Sequence, residues 1–312
     1  MFDKLKNQIE YFRQHRFVRQ TAVLQVGNVA GNFAQALAGV FLARLMQPHL
    51  FGIYSIAIGL GSLSALFLGL GAFNAAAPLI GEQYVKKDYE SVNEVLGFLI
   101  KMILLTSILG GIYILFLPWI GLKFYGDSMI GWYAALAVIA LFIASTSWSF
   151  LVLCLQLVGR IKAMAVISFT DQAFRYGFSL ILVVVGLGVF GAVSGQVVGA
   201  LAIAIISAIY WKQLRTEFSF LPSFKKLFGL ARSIPFKKYF GFTFWVMLDR
   251  NMGNFYITLP VVLVALYVSA SEVTYFKLAF GYVNLVMSLM GPISTLLNME
   301  FSMMKAGDEH GL

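Results

Sequence analysis

Eight apolar runs constrain this chain more than any other feature. They cover residues 21–44, 52–80, 94–119, 130–158, 163–186, 191–211, 239–267 and 273–299. A bilayer core about 30 Å thick needs about 20 apolar residues as helix, whereas a membrane strand needs only about ten. Lipid offers no hydrogen bonds to the backbone, so a spanning segment must satisfy its own, which a helix does. The expectation is an all-α fold, a polytopic integral membrane helix bundle of about eight transmembrane helices. Composition agrees: 60% of the 312 residues are hydrophobic and 12% charged, against roughly 25% charged in soluble domains. One soluble core cannot bury that much apolar surface.

The charges fall in the gaps between runs. The chain carries +9, which by itself is compatible with a nucleic-acid partner, but the placement of the charges argues against one. Lys4, Lys6, Arg13, Arg16 and Arg19 precede the first run. Lys86, Lys87 and Lys101 mark the second gap and its flank, and Arg160 and Lys162 the fourth. Lys212, Arg215, Lys225, Lys226, Arg232, Lys237 and Lys238 fill the sixth, and Lys305 follows the last run. The alternate gaps hold only Arg44 and Lys123. By the positive-inside rule both termini are expected to be cytoplasmic, in a multi-pass protein of the cell (inner) membrane. The one cysteine, Cys154, rules out an intrachain disulfide, and His15, His49 and His310 are too scattered for a metal cluster. No cofactor is expected.

The runs divide into an interfacial helix (1–20), a six-helix lobe (21–211), a linker (212–238) and a partial second lobe (239–312). Phe2, Leu5, Ile9 and Phe12 share one helical face, as do Phe224, Leu227, Phe228 and Ala231, each beside basic residues. Such helices lie along a membrane surface. Gly291-Pro292 is positioned to kink or break the last span. A shift of 222 residues aligns Val40 with Val262, Ala57 with Ala279, Gly59 with Gly281 and Gly69 with Gly291. Spans one and two then match spans seven and eight, as in transporters built from repeats.

Gly186-Leu-Gly188-Val-Phe-Gly191 has the spelling of a dinucleotide loop, but no strand precedes it and no acidic residue follows at the required distance. It reads as a tight turn. No P-loop spelling is present. Gly27 and Gly31 on span one, and Gly191, Gly195 and Gly199 on span six, form small-residue faces for close helix packing. Gln25, Asn28, Asn32 and Gln35 share a face of span one, either as interhelical hydrogen-bond glue or as the polar wall of a cavity.

Ionisable residues inside spans are the candidate functional groups, because a charge at bilayer depth costs on the order of 3 kcal/mol and usually faces a bundle interior. Asp171 and Arg175 are four apart, so they form either a self-neutralising pair near the interface or a functional pair. Asp249 and Arg250 are adjacent and diverge by about 100°, so at least one needs another partner. Lys277 either snorkels to the outer interface or meets a ligand. No paired carboxylates stand in a sizeable outer loop and no nucleophilic triad can be assembled at one depth, so catalysis is not expected.

The stretch Phe41-Leu-Ala-Arg44-Leu-Met-Gln-Pro-His-Leu-Phe-Gly52-Ile-Tyr54 and the later Gly69-Leu-Gly71 resemble the first hairpin of bacterial polysaccharide/oligosaccharide flippases. These are the Wzx-like branch of the multidrug/oligosaccharidyl-lipid/polysaccharide exporter superfamily. Leu248-Asp249-Arg250 and Ser271-Glu272-Val-Thr-Tyr275 with Ala279 give a second match, in which Thr274 replaces the family's usual glycine. The resemblance covers nearly the whole chain. It implies two six-helix lobes around a cationic cavity, and alternating access that carries a polyprenyl-pyrophosphate-linked oligosaccharide to the outer leaflet.

On that resemblance Arg250 and Arg175 contact the headgroup phosphates, with Asn28, Asn32 and Lys277 as further substrate contacts. Asp249 and Asp171 are the coupling or gating residues. Arg44 belongs to the hairpin pattern and is structural. The expected partners are the lipid-linked oligosaccharide, membrane lipids and other polysaccharide-assembly proteins. Family members have twelve to fourteen spans, so the chain is expected to be a fragment lacking four or more helices of the second lobe, with an unusual short form as the alternative. Alternatives are a cation-coupled drug exporter of the same superfamily, a membrane enzyme of glycan assembly, and an inactive truncated product or scaffold.

Overall fold

The computed structural model describes residues 16–64 and 72–287. Among them run nine α-helices and no strand: α1 (Arg16–Leu63), α2 (Ala72–Val85), α3 (Tyr89–Tyr125), α4 (Ser128–Leu157), α5 (Ile161–Leu182), α6 (Gly188–Glu217), α7 (Phe224–Ser233), α8 (Lys237–Val264) and α9 (Ala270–Met287). Four continuous stretches are long and apolar enough to cross a membrane: Ala22–Leu63, Tyr89–Tyr125, Ser128–Leu157 and Ile161–Glu217. Two of them contain a break. The first breaks at Gln47, whose φ of 67° and ψ of 159° are non-helical. The ring of Pro48 disfavours helical geometry in the residue before it, so the turn falls there. The second breaks at a π-helical turn, Val183–Leu187, where Gly186 and Gly188 take positive φ of 99° and 53°. A side chain there would be strained, which explains the glycines of the expected tight turn.

Divided at these breaks, the four stretches and α2 account for the first six expected spans. α8 and α9 lie where the seventh and eighth are expected. The expected N-terminal interfacial helix, Gly69-Leu-Gly71 and Gly291-Pro292 lie outside the described residues.

α5 packs between the first arm of α1 and α6. Gly27 and Gly31 of α1 meet Ala165, Phe169 and Gln172, and Gly195 and Gly199 of α6 meet the backbone at Ser179 and Arg175. A Cβ at either α6 glycine would overlap α5, so the glycines set the helix separation. The Ser179 hydroxyl donates to the Ala192 carbonyl at 2.7 Å across the same seam.

At the end of the bundle that holds the 47–52 turn, α1 and α9 interlock. Thr274 Oγ1 donates to the Pro48 carbonyl at 2.5 Å, and Gly52 lies so close that a Cβ would overlap the Ala270 carbonyl. A shift of 222 residues carries Pro48 onto Ala270 and Gly52 onto Thr274. The two contacts therefore exchange under that shift. Tyr125 Oη adds a bond to the Val262 carbonyl at 3.1 Å.

At the other end, the basic one, α7 and the start of α8 lie in a cradle on α3. Asn93 Nδ2 donates to the Phe220 carbonyl at 3.1 Å and Lys101 Nζ to the Ile234 carbonyl at 2.7 Å. Glu94 accepts from Lys238 and from Tyr239 Oη. Gly97, on the same face of α3, makes room for Leu230 and Ile234.

Candidate functional site

The polar residues of the interior gather where α1, α5 and α6 meet. Gln35 on the first arm of α1 donates from Nε2 to Tyr176 Oη on α5 at 2.7 Å. Gln196 on α6 donates to Tyr54 Oη, on the second arm of α1, at 3.2 Å. Tyr54 is 6% and Gln196 4% exposed, so this bond is made away from water. Next to Tyr176, Arg175 holds Asp171 through two parallel bonds: Nε to Oδ1 at 3.0 Å and Nη2 to Oδ2 at 2.6 Å. A bidentate guanidinium–carboxylate pair is the strongest geometry available to these groups. Asp171 stands ten residues into α5, about 15 Å from its start. The pair therefore sits about midway along the helix.

Asn28 and Asn32 lie on the same arm of α1 as Gln35. Both are half-buried, and neither makes a side-chain hydrogen bond among the described residues. Gln172, beside Gly31, buries its amide oxygen with no hydrogen-bond partner there. The α1–α5 seam thus carries unspent hydrogen-bonding capacity.

The remaining candidates lie on α8 and α9. Asp249 is exposed, on a face of α8 shared with Trp245, Met252 and Tyr256. Arg250 follows it in α8, and its side chain lies outside the described residues. Lys277 is half-buried, seven residues or about 10 Å into α9. It has no ion-pair partner among the described residues. Its neighbour Leu278 packs on the apolar core of Leu42, Met46 and Tyr54, which sets this turn of α9 against α1. The structure thus joins Asp171 to Arg175 and leaves Lys277 and Asp249 apart from them.

Sequence reasoning missed Tyr54, Tyr176 and Gln196. An amide at position 196, set in a helix of glycine, alanine and valine, was the available signal. Among the described residues no group of three or more His, Cys, Asp or Glu side chains is placed to hold a metal ion.

Comparison with known proteins gives a consistent picture. A family model described as polysaccharide biosynthesis protein matches residues 17–297. Among curated protein sequences none matches this chain. Solved structures do. An outward-facing multidrug resistance MATE family transporter of the MOP superfamily superposes with a TM-score of 0.67 at 18% identity, covering 94% of this chain and 64% of that one. The eukaryotic MATE transporter AtDTX14 gives 0.69 at 18% identity, covering 93% and 67%. A MOP superfamily transporter from Pyrococcus furiosus, described as having a binding pocket of reverse polarity that suggests a different function, gives 0.62 at 17% identity, covering 95% and 66%. The chain thus spans about two thirds of the length of the transporters whose fold it shares.

Proposed function

Because the chain belongs to the polysaccharide biosynthesis protein family and has the fold of MOP superfamily transporters, we propose that it moves a polyprenyl-pyrophosphate-linked oligosaccharide across the inner membrane by alternating access. The observation that carries the anionic substrate is Lys277, a cation within a span, set against α1 without a counter-ion among the described residues. A buried charge of this kind is costly unless a ligand or water neutralises it. A pyrophosphate would do so, and Arg250 on the adjacent helix is the second cation assigned to it. Asn28 and Asn32 supply unpaired amides for sugar hydroxyls.

Arg175 enters differently. Its guanidinium gives one Nε and one Nη2 N–H to Asp171 and keeps the others, so an arriving anion shares it with that carboxylate. A phosphate drawn to that guanidinium weakens its hold on Asp171. The pair therefore acts as the coupling element, and Asp249 on the open face of α8 is a second gating carboxylate. A drug exporter of the same superfamily is the second reading, favoured by the fold shared with multidrug transporters. A cationic drug would use Asp249 with Trp245 and Tyr256.

The test is export of lipid-linked glycan by the full-length protein carrying Lys277→Gln or Lys277→Arg. Losing a charged contact costs about 2 kcal/mol, or near thirtyfold in apparent affinity. Arginine should restore most of it. Wild-type export by Lys277→Gln refutes the headgroup role. Loss of drug efflux in Asp249→Asn with glycan export intact favours the second reading.

A further inference from the structure

The linker helix α7 divides its surface into four strips. Leu227 and Ala231 are fully buried in the α3 cradle, with Leu230 and Ile234 beside them. Phe224 and Phe228 come next around the helix and are 45% and 53% exposed. Lys225 and Arg232 lie about 70° further round, and Lys226 about 110° beyond those. All three are exposed. The helix is fixed at both ends: Ser223 Oγ caps the Lys226 N–H at 3.2 Å, and Lys101 holds the Ile234 carbonyl. The cradle thus sets the rotation of the helix about its axis, and the aromatic and basic strips cannot exchange places.

The order protein, aromatic, basic, water is the order of a helix lying in the headgroup layer of a bilayer. Phenyl rings reach the acyl boundary while cations stay at phosphate level. Net positive charge on that strip selects acidic lipid, at about 1 kcal/mol, or fivefold, per basic residue near the surface. We propose that the Phe224/Phe228 and Lys225/Arg232 strips of α7 form a docking surface for acidic phospholipid, with Lys226 outside it. The surface is independent of what the protein transports.

Cys154, the one cysteine, is fully buried, so a Phe228→Cys variant can be labelled at a single site with an environment-sensitive fluorophore. The labelled full chain is placed in nanodiscs of phosphatidylcholine with phosphatidylglycerol, and either lipid is brominated in turn. The brominated acidic lipid should quench the probe more strongly at low salt, and the preference should fade at 0.5 M salt as the Debye length shrinks to about 4 Å. Adding Lys225→Gln with Arg232→Gln should bring the ratio of quenching to about one, an expected loss of about 25-fold in local selectivity for two charges. Adding Lys226→Gln should leave most of it. Equal quenching by both lipids means burial without selectivity and overturns the proposal. So does absence of quenching, which places the strip in water or against protein. An equal effect of Lys226→Gln overturns the assigned order of strips.

Discussion

At the end holding the 47–52 turn, the hairpins of α1 and α8–α9 meet at close quarters: the short Thr274 hydroxyl bonds the Pro48 carbonyl, and Gly52 lies on the Ala270 carbonyl where no side chain fits. At the basic end, α3 is joined to α7 and α8 by Asn93, Glu94 and Lys101, each reaching out to a linker more than a hundred residues away. The first contact is steric and short-ranged, so it is made completely or lost. The second adds long polar side chains to the apolar seat of Leu227 and Ala231, so part of it answers to salt and can be weakened one bond at a time. Under the proposed alternating access, one end must part while the other holds. The difference predicts a switch-like release at the turn end and graded compliance at the basic end.

Gly52→Ala should break the comparison most sharply. The added Cβ meets the Ala270 carbonyl, which no side-chain rotation can relieve. The cost should reach about 3 kcal/mol, the upper part of the overpacking range. Thermal unfolding in detergent would report it, together with new accessibility of a cysteine placed at Ser271. Gly59→Ala is the matched control, since its Cβ meets Val262 Cγ2 at 2.9 Å, an atom at the end of a side chain. It should cost about 1 kcal/mol. Equal effects of the two would mean that the turn end is no more rigid than the rest.

Lys101→Met keeps the length of the side chain and removes its bond to the Ile234 carbonyl at the end of α7. A hydrogen bond from a charged group contributes about 2 kcal/mol. The loss should appear as faster hydrogen exchange in α7 and the start of α8, with the α1–α9 interlock unchanged. Exchange that rises equally at both ends would show that the ends are not independent.

Glu94→Gln should be milder. The Glu94 and Lys238 side chains are 30% and 48% exposed, so solvent screens the pair. A cost of about 0.5 kcal/mol is expected. It should vanish in high salt, whereas the penalty of Gly52→Ala should not. A salt-insensitive Glu94→Gln would mean that the basic end is held by the Tyr239 bond rather than by charge.

The same comparison separates what the sequence makes legible from what it hides. Gln47-Pro48, the Gly186–Gly188 turn, the two glycine faces and the amphipathic α7 all follow from local backbone chemistry or helical spacing, and all are present. The Asp171–Arg175 pair is legible because its members are four apart. The α3 cradle is not, because nothing near Lys101 in sequence reveals that its partner is the carbonyl of Ile234. The Tyr54–Gln196 bond is hidden for the same reason: Gln196 stands out as an amide in an apolar helix, but its partner lies 142 residues away.

The smallest predicted effect concerns a carboxylate at the turn end. Glu272 lies in the first turn of α9 and accepts from the Ser269 backbone N–H and hydroxyl, both at 2.8 Å, while Ser269 Oγ accepts in return from the Glu272 N–H at 3.4 Å. This reciprocal capping holds the turn that presents Ala270 to Gly52. The bonds from Ser269 pull the Glu272 carboxyl below its ordinary value. A lowered value means stability that is present above the ordinary carboxylate range and lost as pH falls through the folded-state value. The turn end should therefore loosen only on acidification, and Glu272→Gln should flatten that dependence by lowering stability at neutral pH by the small amount that acidification removes from the parent. The readout is cross-linking yield between cysteines at His49 and Ser271 across a pH series. A yield that falls as pH rises would contradict the assignment, and one that is flat in the parent protein would show that the interlock holds without its cap.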